Sequence, residues 1–245
     1  MLVKGIDVSK WQAEITWPKT KLAGMDFAII RAGSVDNITG KCYIDFQFER
    51  NSIEAPKVMP VGYYWYFRPG QNPITQAQYF ADLINPAGFT IYPTCDIEES
   101  NGKSPQHITS VLWTFCDRIK KLTGTECMIY TSPGYAMSYF QPNSWMKDLP
   151  LWIAHWNVSQ PIIPVQWRDY AKTYTFWQTH VGQDAQEYGM GIGSAGLDHD
   201  VYRGEWEDFA KEFKLKQPPQ PPIVYPSTET MIKKLWDAHP KLYGE

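Results

Sequence analysis

Two carboxylates stand two residues apart at the end of an apolar run, Ile91-Tyr92-Pro93-Thr94-Cys95-Asp96-Ile97-Glu98. In a strand, side chains at i and i+2 project to one face, roughly 6–7 Å apart along the backbone. Two acids that close do not both ionise freely, so one is expected to be held towards its neutral form at neutral pH. A neutral acid beside an anionic one is what cleavage of a glycosidic bond requires. A loop acid or a helix cap leaves the same short D-x-E trace, so the choice rests on what the chain brings beside this pair.

Other polar residues sit where a strand would normally be apolar. Asp7 lies between Ile6 and Val8, a placement that is avoided unless the acid faces a polar site. Arg31 closes the apolar run 27–33, Gln178 lies late in 173–179, and Asp198 lies in 197–202. These runs read as strands, together with 58–67, 127–131 and 151–156, and helices are expected at 19–23, 43–55, 73–83, 106–122 and 205–216. Ser104-Pro105 supplies a cap and first position for the longest helix, and Gly124 follows its end.

Strands alternate with helices through the first half, after which the helices shorten. The order predicts an α/β fold, an irregular (β/α) barrel that is TIM-like with reduced later helices. Parallel strands in such a barrel bring their C-terminal ends to one mouth, so acids distant in sequence can share a pocket there.

Composition narrows the partners. A chain of 245 residues with a net charge of −3 is not one that holds nucleic acid by releasing counterions, and no apolar run reaches the roughly 18 residues of a membrane span. Eleven Trp and 15 Tyr exceed what a core demands, and flat rings with apolar faces suit sugars. The five histidines are scattered and the four cysteines have no C-x-x-C spacing, so neither a metal nor a cofactor is expected. The cysteines read as buried free thiols made in a reducing compartment, with no pairing selected. No apolar segment of signal-peptide type follows Met1, so release by a holin or a comparable route is the expectation.

Residues 1–216 read as the catalytic barrel and 217–227, rich in Pro, as a stiff spacer. Residues 228–245 carry Met231, Ile232, Leu235 and Trp236 at helical spacing, a tail that would dock on the barrel, on a partner or on a second copy.

The motifs together resemble glycoside hydrolase family 25, the Chalaropsis-type lysozymes. Gly5-Ile6-Asp7-Val8-Ser9 with Trp11-Gln12 resembles that family's opening strand. Phe27-Ala28-Ile29-Ile30-Arg31, Gly62 with Tyr64, Asp96-Ile97-Glu98, Leu151-Trp152-Ile153-Ala154, Trp177-Gln178 and Leu197-Asp198 follow in the family's order. The resemblance covers residues 3 to about 210 and implies hydrolysis of the β-1,4 bond between N-acetylmuramic acid and N-acetylglucosamine in peptidoglycan glycan strands. It implies Glu98 as proton donor, Asp96 as its partner carboxylate, and Asp7 and Asp198 as flanking acids. Arg31, Tyr64, Trp156 and Gln178 match positions that contact substrate, although Trp156 stands where tyrosine is usual and Asp200 where asparagine is common. The work would be done outside the cell on the bacterial wall, by an enzyme of the endolysin kind.

On this reading Glu98 keeps a proton because Asp96, Asp7 and Asp198 crowd it. Asp96 either supports an attack by the substrate's own acetamido group or activates water directly. Two rivals remain: a chitinase-like glycosidase, whose longer D-x-x-D-x-D-x-E pattern is absent here, and a wall-binding module without activity.

Overall fold

The computed structural model describes residues 2–215, apart from 170–172, 192 and 195; the Pro-rich spacer and the tail at 217–245 lie outside the described residues. The elements run β1 (Leu2–Val8), α1 (Trp17–Leu22), β2 (Phe27–Val35), β3 (Cys42–Ile44), α2 (Phe48–Glu54), β4 (Val61–Tyr66), α3 (Pro73–Ala87) and β5 (Thr94–Asp96). They continue with α4 (Pro105–Thr123), β6 (Met128–Thr131), α5 (Pro133–Tyr139), β7 (Leu151–Ala154), α6 (Val165–Arg168), β8 (Phe176–Gly182), β9 (Leu197–Glu205) and α7 (Trp206–Glu212). The reduced later helices are there: α4 spans 19 residues, α5 seven and α6 four.

Strand order β1-β9-β8-β7-β6-β5-β4-β2, closed by pairing of β1 with β2, makes an eight-stranded barrel, with β3 attached outside on β2. The strands from β1 to β8 that form its wall pair in parallel. β9 does not: it is antiparallel to both β1 and β8. This corrects the short parallel strand expected at 197–202. A parallel β9 would carry Asp198 to the bottom of the barrel, because the residue lies at the strand's start. Running the other way, β9 begins at the mouth and pairs Asp198 with Asp7.

Alternation along the strands sorts two cores. Ile6, Ala28, Ile30, Trp65 and Ile129 pack with Phe80 of α3 and Phe115 of α4. Phe27, Ile29, Tyr64, Met128, Trp152 and Phe176 fill the barrel interior. The floor is closed by α7: Phe209 lies 5.6 Å from Phe27 and Phe213 lies 5.9 Å from Phe176, ring centre to ring centre. Gly5 allows this filling, because any side chain there would collide with the Phe27 ring.

One expected helix is split. Residues 43–55 hold β3, a turn and only then α2. The edge of β2 offers unpaired backbone to 42–44, and the Asp45 side chain accepts the Gln47 N–H at 3.0 Å to turn the chain. The long α4 matches its sequence signals: Ser104 caps the His107 N–H at 3.3 Å, Pro105 takes the first position, and Gly124 ends the helix at φ +72°.

Candidate active site

The upper ends of the strands carry the polar residues, and a cleft of about 560 Å³ opens there. Asp7, Asp96, Glu98 and Asp198 all line it, as do Arg31, Tyr64, Trp156 and Gln178. The eight residues selected from sequence are thus gathered at one mouth. In β1, β4, β5 and β8 the same parity that points Asp7, Tyr64, Asp96 and Gln178 inward sends their neighbours to the helix layer.

β5 ends at Asp96, so Glu98 stands just beyond the strand. The backbone stays extended past it, with the Ile97 N–H donating to the Tyr130 carbonyl at 3.0 Å. Asp96 is buried and Glu98 is exposed. No donor reaches Asp96 Oδ1. Burial pushes the Asp96 carboxyl well above the usual range, and the charge of Glu98 and a hydrogen bond with Glu98 push it further, against the fields of Arg31 and Arg68. Burial thus disfavours ionisation of Asp96, the member of the pair read from sequence as the charged partner. Depth decides this, because the carboxyl removed from water loses more by ionising.

A second group of acids lies across the cleft. Gln178 Nε2 donates to Asp7 Oδ2 at 2.7 Å. Burial first, then the charges of Asp198 and Asp200, hold Asp7 well above the ordinary carboxylate range despite that bond. Asp200 is buried below the cleft, accepts Trp152 Nε1–H at 2.8 Å, and is raised by burial in the same way. Asp198 is pushed up to about 6, by burial and then by Glu98, with His199 opposing.

The sign of that shift sets a stability prediction. A carboxyl raised from 3.8 to about 6 stabilises the fold fully below its unfolded value, and the contribution is lost as pH rises through about 6. Asp198→Asn is expected to raise the unfolding temperature at about pH 8 far more than at about pH 4, by an amount worth at most about 3 kcal/mol. Thermal unfolding of both proteins at the two pH values measures it, and an equal gain at both would contradict the buried acid group.

Gln178 does more than line the pocket. Its amide oxygen accepts Tyr130 OH at 2.9 Å and Trp156 Nε1–H at 2.8 Å, while its nitrogen holds Asp7. One buried side chain thus ties β8 to β1, to β6 and to the loop after β7. Tyr64 is buried, 6.2 Å edge-on from Trp152, so it is core and cleft wall together. Trp156 is half exposed at 49%, with only its Nε1 edge anchored.

Arg31 has no carboxylate partner among the described residues. Its guanidinium lies 4.9 Å from the centre of the Tyr66 ring, which Arg68 also approaches at 4.6 Å. Arg68 is committed elsewhere, to an ion pair with Glu99, and Tyr66 OH donates to the same carboxylate at 2.8 Å. Arg31 thus acts on the site through its field.

Sequence reading missed Trp11, Tyr66, Tyr130 and Trp152, which also line the cleft. Strand parity carried a signal for three of them, since Tyr66, Tyr130 and Trp152 share the inward phase of their strands. Trp11 follows β1 in a turn and had no such signal. The cysteines are free, with Cys95, Cys116 and Cys127 buried as expected and Cys42 only half-buried. Among the described residues no helix is long and apolar enough to cross a membrane.

Comparison with known proteins bears on what this mouth does. The model of Glycosyl hydrolases family 25 matches residues 6–186, a stretch that holds seven of the eight selected residues and stops short of Asp198. Lysozyme M1 of Streptomyces globisporus is 34% identical over 190 residues, covering 72% of this chain and 61% of its own length. The N,O-diacetylmuramidase of Chalaropsis sp is 28% identical over 200 residues, 76% of this chain and 90% of the relative. Among solved structures, the bacterial lysozyme from Streptomyces coelicolor matches with a TM-score of 0.69 at 29% identity, covering 84% of this chain and 94% of that one. The chain spans less than two thirds of the Streptomyces globisporus relative.

Proposed function

The chain belongs to glycosyl hydrolases family 25, and we propose on that basis that it hydrolyses peptidoglycan at the β-1,4 bond between N-acetylmuramic acid and N-acetylglucosamine, lysing bacterial cell wall. The observation that carries the proposal is the meeting of Asp7, Asp96, Glu98 and Asp198 in one cleft at the barrel mouth. A module that only binds glycan has no use for four carboxyl groups in one cleft, three of them raised by burial.

The proposed route uses Glu98 as acid and Asp96 as its partner. At rest the pair shares one proton, held by Asp96 and donated towards Glu98. As positive charge grows on the sugar, the ionised form of Asp96 becomes favoured and its proton passes to Glu98. Glu98 gives a proton to the glycosidic oxygen as the C1–O bond breaks. The carbonyl oxygen of the sugar's acetamido group bonds to C1, and Asp96 stabilises the cationic ring so formed. Water then attacks C1, the C1–O bond to the acetamido carbonyl breaks to restore the amide, and the water's proton passes to Glu98.

We take this route over direct attack by water: an inverting pair stands about 6.5–9.5 Å apart to admit a water between sugar and base, whereas Asp96 and Glu98 lie two residues apart at the end of one strand, and Glu98 is among the groups that raise Asp96. Digestion of purified walls is expected to expose muramic acid at the new reducing ends, released first as the β anomer. Mass spectrometry of the digest and proton NMR of the first product check both points. New ends of N-acetylglucosamine would sink the muramidase reading, and an initial α anomer would sink the retaining route.

A further inference from the structure

Glu98 stands where the sheet no longer holds the chain. β5 has already ended at Asp96, and the next tie to a neighbouring strand is the Ile97 N–H on the Tyr130 carbonyl at 3.0 Å. Glu98 itself is exposed. A carboxyl group on a chain leaving its strand can swing, yet a general acid works only within hydrogen-bond reach of the oxygen it protonates. Misplacement by about 1 Å costs on the order of 10²-fold. The chain beyond Glu98 therefore needs an anchor of its own.

That anchor falls on the next residue. Glu99 Oε1 accepts Tyr66 OH at 2.8 Å, while Oε2 accepts Asn101 Nδ2–H at 3.1 Å and pairs with Arg68. The Glu99 carbonyl accepts Tyr135 OH at 2.9 Å. The partners come from the end of β4 and the loop after it, from α5, and from the turn that follows. Asn101 and Gly102 take φ +48° and +70° in that turn, and the Lys103 N–H closes it on the Ser100 carbonyl at 2.9 Å. Asn and Gly tolerate this left-handed backbone, which brings the Asn101 amide back onto the carboxylate.

We propose that Glu99 is a positioning residue, whose ties to Tyr66, Arg68, Asn101 and Tyr135 hold Glu98 where it can protonate the glycosidic oxygen; this rests on the reading of Glu98 as the acid. Neighbouring side chains of an extended chain project to opposite faces, so fixing the direction of Glu99 sets that of Glu98. Glu98 lines the cleft and Glu99 does not.

Glu99→Ala and Tyr135→Phe test the assignment. The second removes one hydroxyl from a buried ring that keeps its packing against Tyr139 at 4.8 Å. Two substrates are compared: a peptidoglycan glycan strand, and the β-fluoride of N-acetylglucosaminyl-N-acetylmuramic acid, whose leaving group departs without a strong proton donor. Glu99→Ala is expected to lower kcat on the glycan about ten- to hundredfold, with KM and fluoride release within about twofold of wild type. Glu99→Gln, which keeps the length and an oxygen acceptor, should fall between the two. Tyr135→Phe is expected to lower glycan kcat about threefold or more, again sparing fluoride release. In a Glu98→Gln background, Glu99→Ala should cost nothing further, since no acid remains to be placed. An unchanged glycan kcat in Glu99→Ala would overturn the assignment. Equal losses on the two substrates, or losses that multiply in the double variant, would do the same. Should Glu99→Ala fail to fold, the ratio of the two activities in Tyr135→Phe decides, and an unchanged ratio overturns the assignment. Failure of the wild-type protein on both substrates would instead overturn the glycosidase reading, and the assignment with it.

Discussion

Glu98→Gln is expected to keep the fold and lose roughly 10²–10⁴-fold of the rate of glycan cleavage, the usual share of a positioned general acid. The residue is exposed, and in the proposed route it takes the proton from Asp96. An amide of the same shape keeps an acceptor there and removes a negative charge that raises both Asp96 and Asp198. The variant should unfold no earlier than the wild type. The loss should also depend on the leaving group. Fluoride departs from a sugar fluoride without a strong proton donor, so its release should survive far better than glycan cleavage. Wild-type clearing of cell walls by Glu98→Gln would refute the acid role, and equal losses on both substrates would point to damaged binding.

Asp96→Asn is expected to fail on both substrates, by about 10²–10³-fold, the size of effect seen when one preorganised electrostatic partner is removed. Asp96 stabilises the cationic ring, and that need does not vanish with a better leaving group. The pH profile carries a second sign. The active pair holds one proton, so activity should fall both when the pair gains a second proton and when it loses its last. Burial and Glu98 raise Asp96, so the alkaline limb of kcat/KM in the wild type should lie above the ordinary carboxylate range. Asp96→Asn removes that shared titration and should shift the limb. Stability should not suffer, since Asp96 Oδ1 has no donor to lose. A variant that releases fluoride at the wild-type rate would remove Asp96 from the mechanism.

These two predictions depend on a division of labour that the chain states only in part. The D-x-E spacing puts both acids in reach of one cleft, but it is symmetric with respect to which holds the proton. Burial breaks the symmetry. β5 stops at Asp96, and Tyr64, Tyr130 and Trp152 surround the mouth from neighbouring strands, while Glu98 projects beyond the strand into water. Arg31 shows the same limit. Its place at the end of the run 27–33 put it at the mouth, but not what it would lie against: it lies on the Tyr66 ring while Arg68 takes Glu99.

Much of the architecture was legible because it is local. Short continuous apolar runs marked the strands, Ser104, Pro105 and Gly124 marked the longest helix, and Asp7 stood out as an acid between two core residues. The misread stretch at 43–55 shows where local signals yield. A helical pattern gave way to β3 because the edge of β2 supplied hydrogen-bond partners that only the folded sheet presents.

By itself, then, the sequence determined the strand and helix alternation, the barrel class and the identity of the acids, since each of these follows from side-chain type and spacing along the chain. The tertiary structure alone decided that β9 runs backwards, which brings Asp198 to the mouth opposite Asp7. It decided that α7 closes the floor, that Asp96 rather than Glu98 is the deep acid, and that Glu99 is gripped from β4 and α5. The physical reason is common to all four: depth, direction and enclosure belong to the space between strands that are far apart in the chain, and no spacing along it records them.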